Sequence, residues 1–97
     1  MAVDTAKRYP VRTALSGPAA GVIAATAIAK AAGFGDIITC DMGGTSFDVS
    51  LVAGGKAALA AQTAIDFGMV VRIPVIEMVE IGAGGGSIAS VDKSGLL

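Results

Sequence analysis

Residues 37–52 carry the pattern that most constrains the fold, because they predict two strands joined by a tight turn. The run Ile37–Thr39 is β-branched and suits a pleated sheet, and apolar and polar residues alternate after the turn. We expect Gly43 and Gly44 to supply the positive φ values of a hairpin turn. The alternation predicts one buried face, formed by Phe47, Val49 and Leu51.

The tip of this hairpin combines a carboxylate, two glycines and two hydroxyls. Asp41 ends the first strand, Gly43 and Gly44 have no side chain to block an approach, and Thr45 and Ser46 follow. Backbone N–H groups of a glycine turn can bind phosphate oxygens, and one carboxylate suits a Mg²⁺ ion that keeps several waters. The residues leave two interpretations open, which are a phosphate-binding turn and a plain hairpin.

A helix is predicted over residues 17–33. Ser16 or Gly17 can serve as its N-cap, Pro18 suits the first turn, and Gly33 is the expected stop. The segment is apolar nearly all round, so we expect a buried helix. Small residues recur every four positions and allow a close approach of another backbone: Gly17, Gly21, Ala25 and Ala29. Alternatively, the helix start faces an anion.

The flanking segments carry weaker patterns. Residues 1–9 indicate a loose lead-in, and Val11–Leu15 alternates as an edge strand would. Residues 57–67 predict a third strand, which completes a three-stranded antiparallel meander over residues 36–67. The whole chain, residues 1–97, is therefore expected to form a single partial domain of the α/β class with an α+β organisation.

Residues 68–97 are expected to be irregular and β-rich. Glu77 and Glu80 indicate either a general base or metal pair, or solvated charges. The glycine cluster Gly82–Ser87 resembles a dinucleotide loop, but no helix and no βαβ unit follow from the sequence around it. Glycines at this density still indicate close backbone approach to a ligand or to a neighbouring strand.

The residue inventory excludes several functional classes. The 97 residues contain no histidine, which removes Ser-His, Cys-His and zinc mechanisms within this chain. Cys40 is the only cysteine and lies in a predicted strand, where we expect a small buried side chain. The net charge of −1 offers no basic patch, so no nucleic acid partner is expected.

Composition also bears on location and partners. Residues 18–29 are too short and too rich in alanine to span a membrane, and the start lacks a signal peptide, so a cytoplasmic location is expected. Hydrophobic residues make up 54% of the chain, which is high for a small domain. We expect one face to be buried against the remainder of a longer chain or a second subunit.

Three segments together resemble the hydantoinase A/5-oxoprolinase family in order and spacing, namely Ala14–Val22, Asp41–Val49 and Ile81–Ala89. The resemblance implies an actin-like, ribonuclease H-like ATPase lobe, with ATP and Mg²⁺ as cofactors. In that scheme the hairpin is a phosphate loop, with Asp41 as the catalytic residue and Asp41 and Asp48 near the metal. The implied phosphate contacts are Gly43, Gly44, Thr45 and Ser46.

The resemblance implies a function for the parent protein, which is ATP-dependent opening of a cyclic amide such as a hydantoin or 5-oxoproline. The family also includes subunits of acetone-type carboxylases, so carboxylation of a ketone is an alternative. Alone, the 97 residues are expected to be inactive, and a further alternative is an inert fragment or interaction module that self-associates.

The sequence departs from the family pattern in two ways. Family members carry another Asp-x-Gly-Gly-Thr hairpin near their own N-terminus, and the 97 residues contain only one. Many members have an Asp and a His before the glycine cluster, where this sequence has Glu77 and Val79. A substrate or metal role for that segment is therefore not carried over, and the chain resembles an internal part of a longer protein.

Overall fold

The computed structural model describes residues 1–61, 63–66 and 68–97. Helices come first and antiparallel strands follow, which confirms the predicted α+β order. The helical segments are α1 (Val3–Arg8), a 3-10 helix (Pro10–Thr13) and α2 (Ser16–Ala31). The strands are β1 (Ile37–Met42), β2 (Phe47–Ala53), β3 (Lys56–Ala57), β4 (Leu59–Ala60), β5 (Thr63–Asp66), β6 (Met69–Val71), β7 (Val75–Ile76) and β8 (Val79–Ile81).

The N-terminal segment is helical, which corrects two predictions. The lead-in expected to be loose over residues 1–9 contains α1, whose acidic first turn and basic last turn complement the helix dipole. The edge strand predicted for Val11–Leu15 is wrong, because Pro10 fixes a helical φ and begins a 3-10 helix. Thr13 Oγ1 donates a hydrogen bond of 2.7 Å to the Pro10 carbonyl and closes that turn.

α2 differs from its prediction at the start and agrees at the end. Leu15 is the N-cap, in a left-handed conformation with φ of 58° and no capping side chain, so capping by Ser16 or Gly17 is wrong. Ser16 is instead the first helical residue. After the last turn, Gly33 adopts φ of 87° and its N–H donates to the Lys30 carbonyl at 3.1 Å, which confirms the predicted glycine stop.

β2 is the centre of the main sheet. β1 pairs antiparallel with it along its whole length, from Ile37 opposite Val52 to Met42 opposite Phe47. On the other edge of β2, β3 pairs with the C-terminal end and β8 pairs with the N-terminal end. The order β1, β2, β3 is the predicted meander, and the C-terminal segment adds a strand beside it.

The third strand of the meander is shorter than predicted. β3 contains only Lys56–Ala57, after which β4 pairs with β7 and β5 pairs with β6, each apart from the main sheet. Alanines dominate the expected strand over residues 57–67 and give little cross-strand packing to keep it in the sheet. Gln62 and Phe67, which the prediction included, lie outside the described residues.

The face of the sheet that α2 covers carries the polar residues of β2 together with the buried Val52, which is 3% exposed. Thr39 and Ser50 lie on that face and are buried, and their hydroxyls donate to the carbonyls of Ser50 and Glu77 at 3.3 and 2.8 Å. The apolar set of β2 lies on the other face because side chains alternate, and Leu51 is 60% exposed. Cys40 lies on this uncovered face as well and is exposed, so its predicted burial is wrong.

α2 is less buried here than its composition predicts. Val22 is its one buried residue, whereas Ile23 and Ile28 are 63% and 71% exposed. A helix that is apolar on most sides offers more surface than one small sheet covers, so burial of the outer side in a longer protein stays a prediction. No helix in the described ranges has the length and hydropathy needed to cross a bilayer.

Candidate functional site

The turn between β1 and β2 consists of Gly43–Ser46, which we call the first turn. The Gly43 N–H donates to the Ser46 carbonyl at 2.9 Å, so a four-residue loop closes the hairpin. The positive φ values predicted for Gly43 and Gly44 are wrong, since the glycines with positive φ lie elsewhere in the described chain. A loop of this length turns without left-handed residues.

The surrounding chain does not require glycine in the first turn. A Cβ atom at Gly44 would meet nothing within 4 Å, and one at Gly43 would lie 3.7 Å from the Ser46 carbonyl oxygen, an ordinary contact. Gly43, Gly44 and Thr45 are all exposed. Glycine at these positions leaves the backbone open to close approach from outside the described residues.

The cluster Gly82–Ser87, which we call the glycine loop, packs against the first turn. The Gly85 N–H donates to the Gly43 carbonyl and the Gly86 N–H donates to the Gly44 carbonyl, both at 2.9 Å. The predicted close approach of its glycines is therefore an approach to the first turn, for which phosphate binding is one of the two interpretations left open by the residues.

These two hydrogen bonds determine where the amide groups of the first turn point. The structure contains no cis peptide bond among the residues it describes, and in a trans peptide the C=O and the following N–H point in opposite directions. Because the Gly43 and Gly44 carbonyls point at the glycine loop, the N–H groups of Gly44 and Thr45 point away from it. Neither N–H has an acceptor among the described residues. Successive N–H groups of this kind form an anion-binding concavity.

Three carboxylates lie side by side below the first turn. Asp41 in β1 is opposite Asp48 in β2, and Asp48 is opposite Glu80 in β8. Residues directly opposite in antiparallel strands share one face, so the three negative charges are neighbours. Burial raises the pKa of Asp48, and the charges of Glu80 and Asp41 raise that pKa further. A bound cation would relieve the repulsion within this row.

The predicted catalytic residue, Asp41, is exposed, and its carboxylate lies beside Gly21 of α2. A Cβ atom on Gly21 would lie 3.3 Å from Asp41 Oδ2, so the glycine leaves the room that this carboxylate occupies. A cavity of about 290 Å³ lies here, and its lining includes Pro18, Ala25 and Asp48. Asp41 and Asp48 therefore share one cavity, and the small-residue side of α2 forms part of its wall.

The acidic row fits only one manner of metal binding. The described part of the chain holds no group of three acidic, histidine or cysteine side chains placed around a common metal position. Mg²⁺ usually keeps several waters and takes one or two protein carboxylates together with phosphate oxygens. Asp41 and Asp48 fit such a hydrated ion, whereas an ion held by protein ligands alone does not fit.

Glu77 and Glu80, which the sequence presents as a pair, have different surroundings. The Glu77 backbone N–H donates to the Ala58 carbonyl at 2.9 Å, and its carbonyl accepts the Ser50 hydroxyl, while its side chain is exposed. Glu80 belongs to the carboxylate row opposite Asp48. Sequence reasoning missed this neighbour of Asp48, because no local pattern signals the pairing of β8 with β2.

Comparison with known proteins gives consistent matches. The hydantoinase/oxoprolinase family model matches residues 1–97. The chain is 42% identical over 83 residues to caprolactamase subunit alpha of Pseudomonas jessenii, with 84% of this chain and 12% of that protein covered. It is 35% identical over 92 residues to the acetophenone carboxylase gamma subunit of Aromatoleum aromaticum, with 95% and 13% covered.

A solved structure matches in fold as well as in sequence. The nucleotide-free structure of acetone carboxylase, an enzyme of ATP-dependent acetone carboxylation, aligns with a TM-score of 0.62 and 34% identity. The alignment covers 76% of this chain and 10% of that chain. The 97 residues thus span only 10 to 13% of the length of the proteins named here.

Proposed function

Because this chain belongs to the hydantoinase/oxoprolinase family, we propose that it supplies the phosphate-binding turn of a longer, ATP-dependent enzyme that opens a cyclic amide. The similarity to an enzyme of ATP-dependent acetone carboxylation supports the use of ATP. The similarity to caprolactamase supports a cyclic amide as the substrate class, since a lactam is a cyclic amide.

The observation that carries this proposal is the pair of adjacent N–H groups at Gly44 and Thr45. Both point away from the glycine loop, and neither has an acceptor in the described chain. Phosphate oxygens are suitable acceptors for such a pair, and the hydroxyls of Thr45 and Ser46 are further donors at the same turn.

In the proposed reaction, the amide oxygen attacks the γ-phosphorus of ATP and ADP leaves. Water then adds to the activated ring carbon, and the C–N bond breaks with a proton moving to the nitrogen, which leaves an acyl phosphate. A second water hydrolyses the acyl phosphate to the carboxylate and inorganic phosphate. The first turn holds phosphate oxygens in line with the attacking amide, which is a positioning task. Asp41 and Asp48 would hold a hydrated Mg²⁺, which neutralises phosphate charge when bound.

A second candidate is ATP-dependent carboxylation of a ketone. It is favoured by the matches to acetophenone carboxylase and acetone carboxylase. The same turn would serve either reaction, because both would use ATP. ATP turnover stimulated by a lactam or hydantoin supports the first candidate, and turnover stimulated by a ketone with bicarbonate supports the second.

A further part of the proposal concerns what covers the apolar face of the main sheet. The exposed side chains there include Ile38, Met42, Leu51 and Val79. Two relatives are named as subunits, which supports a partner subunit or the remainder of a longer chain as the cover. The 97 residues alone would be inactive and would self-associate through this face. A cytoplasmic location stays a prediction.

Replacing Asp41 tests the proposed function directly. In the full-length protein, Asp41→Asn should lower ATP turnover about 100-fold or more, the scale of losing one electrostatic contact to the transferred group. Asp36→Asn is the matched control, because Asp36 Oδ1 accepts the Gly54 N–H at the other glycine turn, 2.8 Å away. Turnover by Asp41→Asn near the original rate, with an unchanged melting temperature, would refute the assignment.

A further inference from the structure

We infer that the glycine loop is a positioning element for the first turn, and that Gly84 and Gly86 are the residues that allow it to act. The loop holds the two carbonyls whose direction sets the N–H groups of Gly44 and Thr45. The inference rests on the proposed phosphate-binding function of that turn.

Gly84 lies against the first turn so closely that no side chain fits. A Cβ atom at Gly84 would lie 2.7 Å from the Ser46 nitrogen, 2.7 Å from the Thr45 carbonyl carbon and 2.8 Å from the Gly43 oxygen. All three are backbone atoms, so they cannot rotate aside as the end of a long side chain can. An alanine at position 84 must therefore displace the turn or the loop.

Gly86 makes the second close approach. A Cβ atom there would lie 2.8 Å from the Gly44 oxygen, which is the atom that accepts the Gly86 N–H. An added methyl group would push this carbonyl out of line. Since the peptide is planar, any rotation of the Gly44 carbonyl also rotates the Thr45 N–H.

Ser87 fixes the glycine loop itself. Its hydroxyl oxygen accepts the Gly84 N–H at 3.0 Å, and its own N–H donates to the Gly84 carbonyl at 2.9 Å. The loop is thus closed on itself at the residue that packs most tightly on the turn. Because these two hydrogen bonds restrain the glycine loop, the loop can hold the first turn in one orientation.

The other glycines of the cluster provide the contrast. A Cβ atom at Gly82 would meet nothing within 4 Å, and one at Gly85 would lie 3.5 Å from the Gly43 oxygen, an ordinary contact. Contact with the first turn therefore requires glycine at positions 84 and 86, whereas positions 82 and 85 have room for a side chain. This selectivity is expected of a surface fitted to the turn and not of a merely flexible linker.

The test compares Gly84→Ala and Gly86→Ala with Gly82→Ala in the full-length protein. The first two should raise KM for ATP, and Kd for ADP by titration calorimetry, at least about 10-fold, because misplaced groups lose their phosphate contacts. KM for the second substrate should change less than twofold, and Gly82→Ala should match the original protein throughout. Gly84→Ala and Gly86→Ala variants that behave as Gly82→Ala overturn the inference.

Ser87 provides an independent arm if the glycine variants do not fold. Ser87→Ala removes the acceptor for the Gly84 N–H and should raise KM for ATP several-fold, while Ser87→Thr keeps a hydroxyl and should restore it. A merely structural effect would lower the melting temperature and change both substrates alike. Equal KM values for the Ala and Thr variants would contradict the positioning role.

Failure of the inference can be told apart from failure of the proposed function. If Asp41→Asn leaves ATP turnover unchanged, the function assigned to the first turn is wrong. If Asp41→Asn abolishes turnover while Gly84→Ala, Gly86→Ala and Ser87→Ala all keep the original KM for ATP, the turn binds phosphate without help from the glycine loop.

Discussion

The meander contains two Gly-Gly turns, and the fold requires glycine in one of them only. Between β2 and β3, Gly54 and Gly55 have φ values of 57° and 71°, which suit a two-residue hairpin turn of type I′. Between β1 and β2, neither Gly43 nor Gly44 has a positive φ, and a Cβ atom would fit at both.

The two turns also differ in what their backbone groups bind. The Gly54 N–H donates to Asp36 Oδ1 at 2.8 Å and the Gly55 N–H donates to the Gly35 carbonyl at 2.7 Å, so the second turn is satisfied by its own chain. In the first turn, the N–H groups of Gly44 and Thr45 have no acceptor among the described residues. The Gly-Gly dipeptide is therefore required by the positive φ values of the second turn. In the first turn it leaves backbone N–H groups accessible.

The largest expected effect comes from adding bulk to the first turn. Gly44→Val should weaken ATP binding about 100-fold, because branched bulk beside the open N–H groups displaces the phosphate by about 1 Å or more. The melting temperature of Gly44→Ala should not fall, since a Cβ atom meets no neighbour there. Titration calorimetry with ATP and thermal melting of the full-length protein measure both. Gly44→Ala, the smaller change, should fall between the original protein and Gly44→Val, and an unaltered affinity in both variants would remove the distinction between the turns.

A smaller effect of a different kind is expected in the second turn. Gly55→Ala should lower the free energy of unfolding by about 1 to 2 kcal/mol, the cost of a side chain in a left-handed conformation. The Lys30 side chain occupies the place where the Cβ atom would lie and must move. Chemical denaturation measures the loss, and KM for ATP should stay constant.

Lys30→Ala is the control for that variant. In the Lys30→Ala background, Gly55→Ala should still destabilise through its φ of 71°, with only the side-chain contact relieved. Loss of ATP affinity in Gly55→Ala without loss of stability would reverse the roles assigned to the two turns.

Local patterns predict the parts of this fold that are built from neighbouring residues. Gly33 ends α2 because a glycine can adopt the left-handed conformation after a last turn. The hairpin of β1 and β2 follows from β-branched residues, alternation and a loop between them. The edge strand predicted for Val11–Leu15 was wrong, because the fixed φ of Pro10 begins a helical turn despite the alternation of apolar and polar residues. The phosphate role of the first turn remains a proposal.

Contacts between segments far apart in the chain could not be predicted from local sequence patterns. Alternation shows that the two faces of β2 differ, but it does not show which face a helix covers. Thr39 and Ser50 can be buried because backbone carbonyls accept their hydroxyls, and that pairing appears only in three dimensions. The docking of the glycine loop on the first turn likewise joins segments that lie far apart in the chain, so sequence reasoning found both motifs without their contact.

The smallest expected effect concerns the base of the first turn, where Asp41 lies opposite Asp48, whereas Ala53 lies opposite Lys56 at the base of the second. Burial first, and then the charges of Glu80 and Asp41, raise the pKa of Asp48 above its ordinary value of 3.8. The folded state thus holds this proton more tightly than the unfolded state, so stability should fall as pH rises from that value through the folded pKa. Asp48→Asn should flatten this decline and raise stability at neutral pH by about 0.5 kcal/mol, the scale of one like-charge cross-strand pair. Thermal melting across pH, with Asp36→Asn as control, measures the difference, and a profile for Asp48→Asn parallel to that of the original protein would show that the carboxylate row carries no repulsion for a cation to relieve.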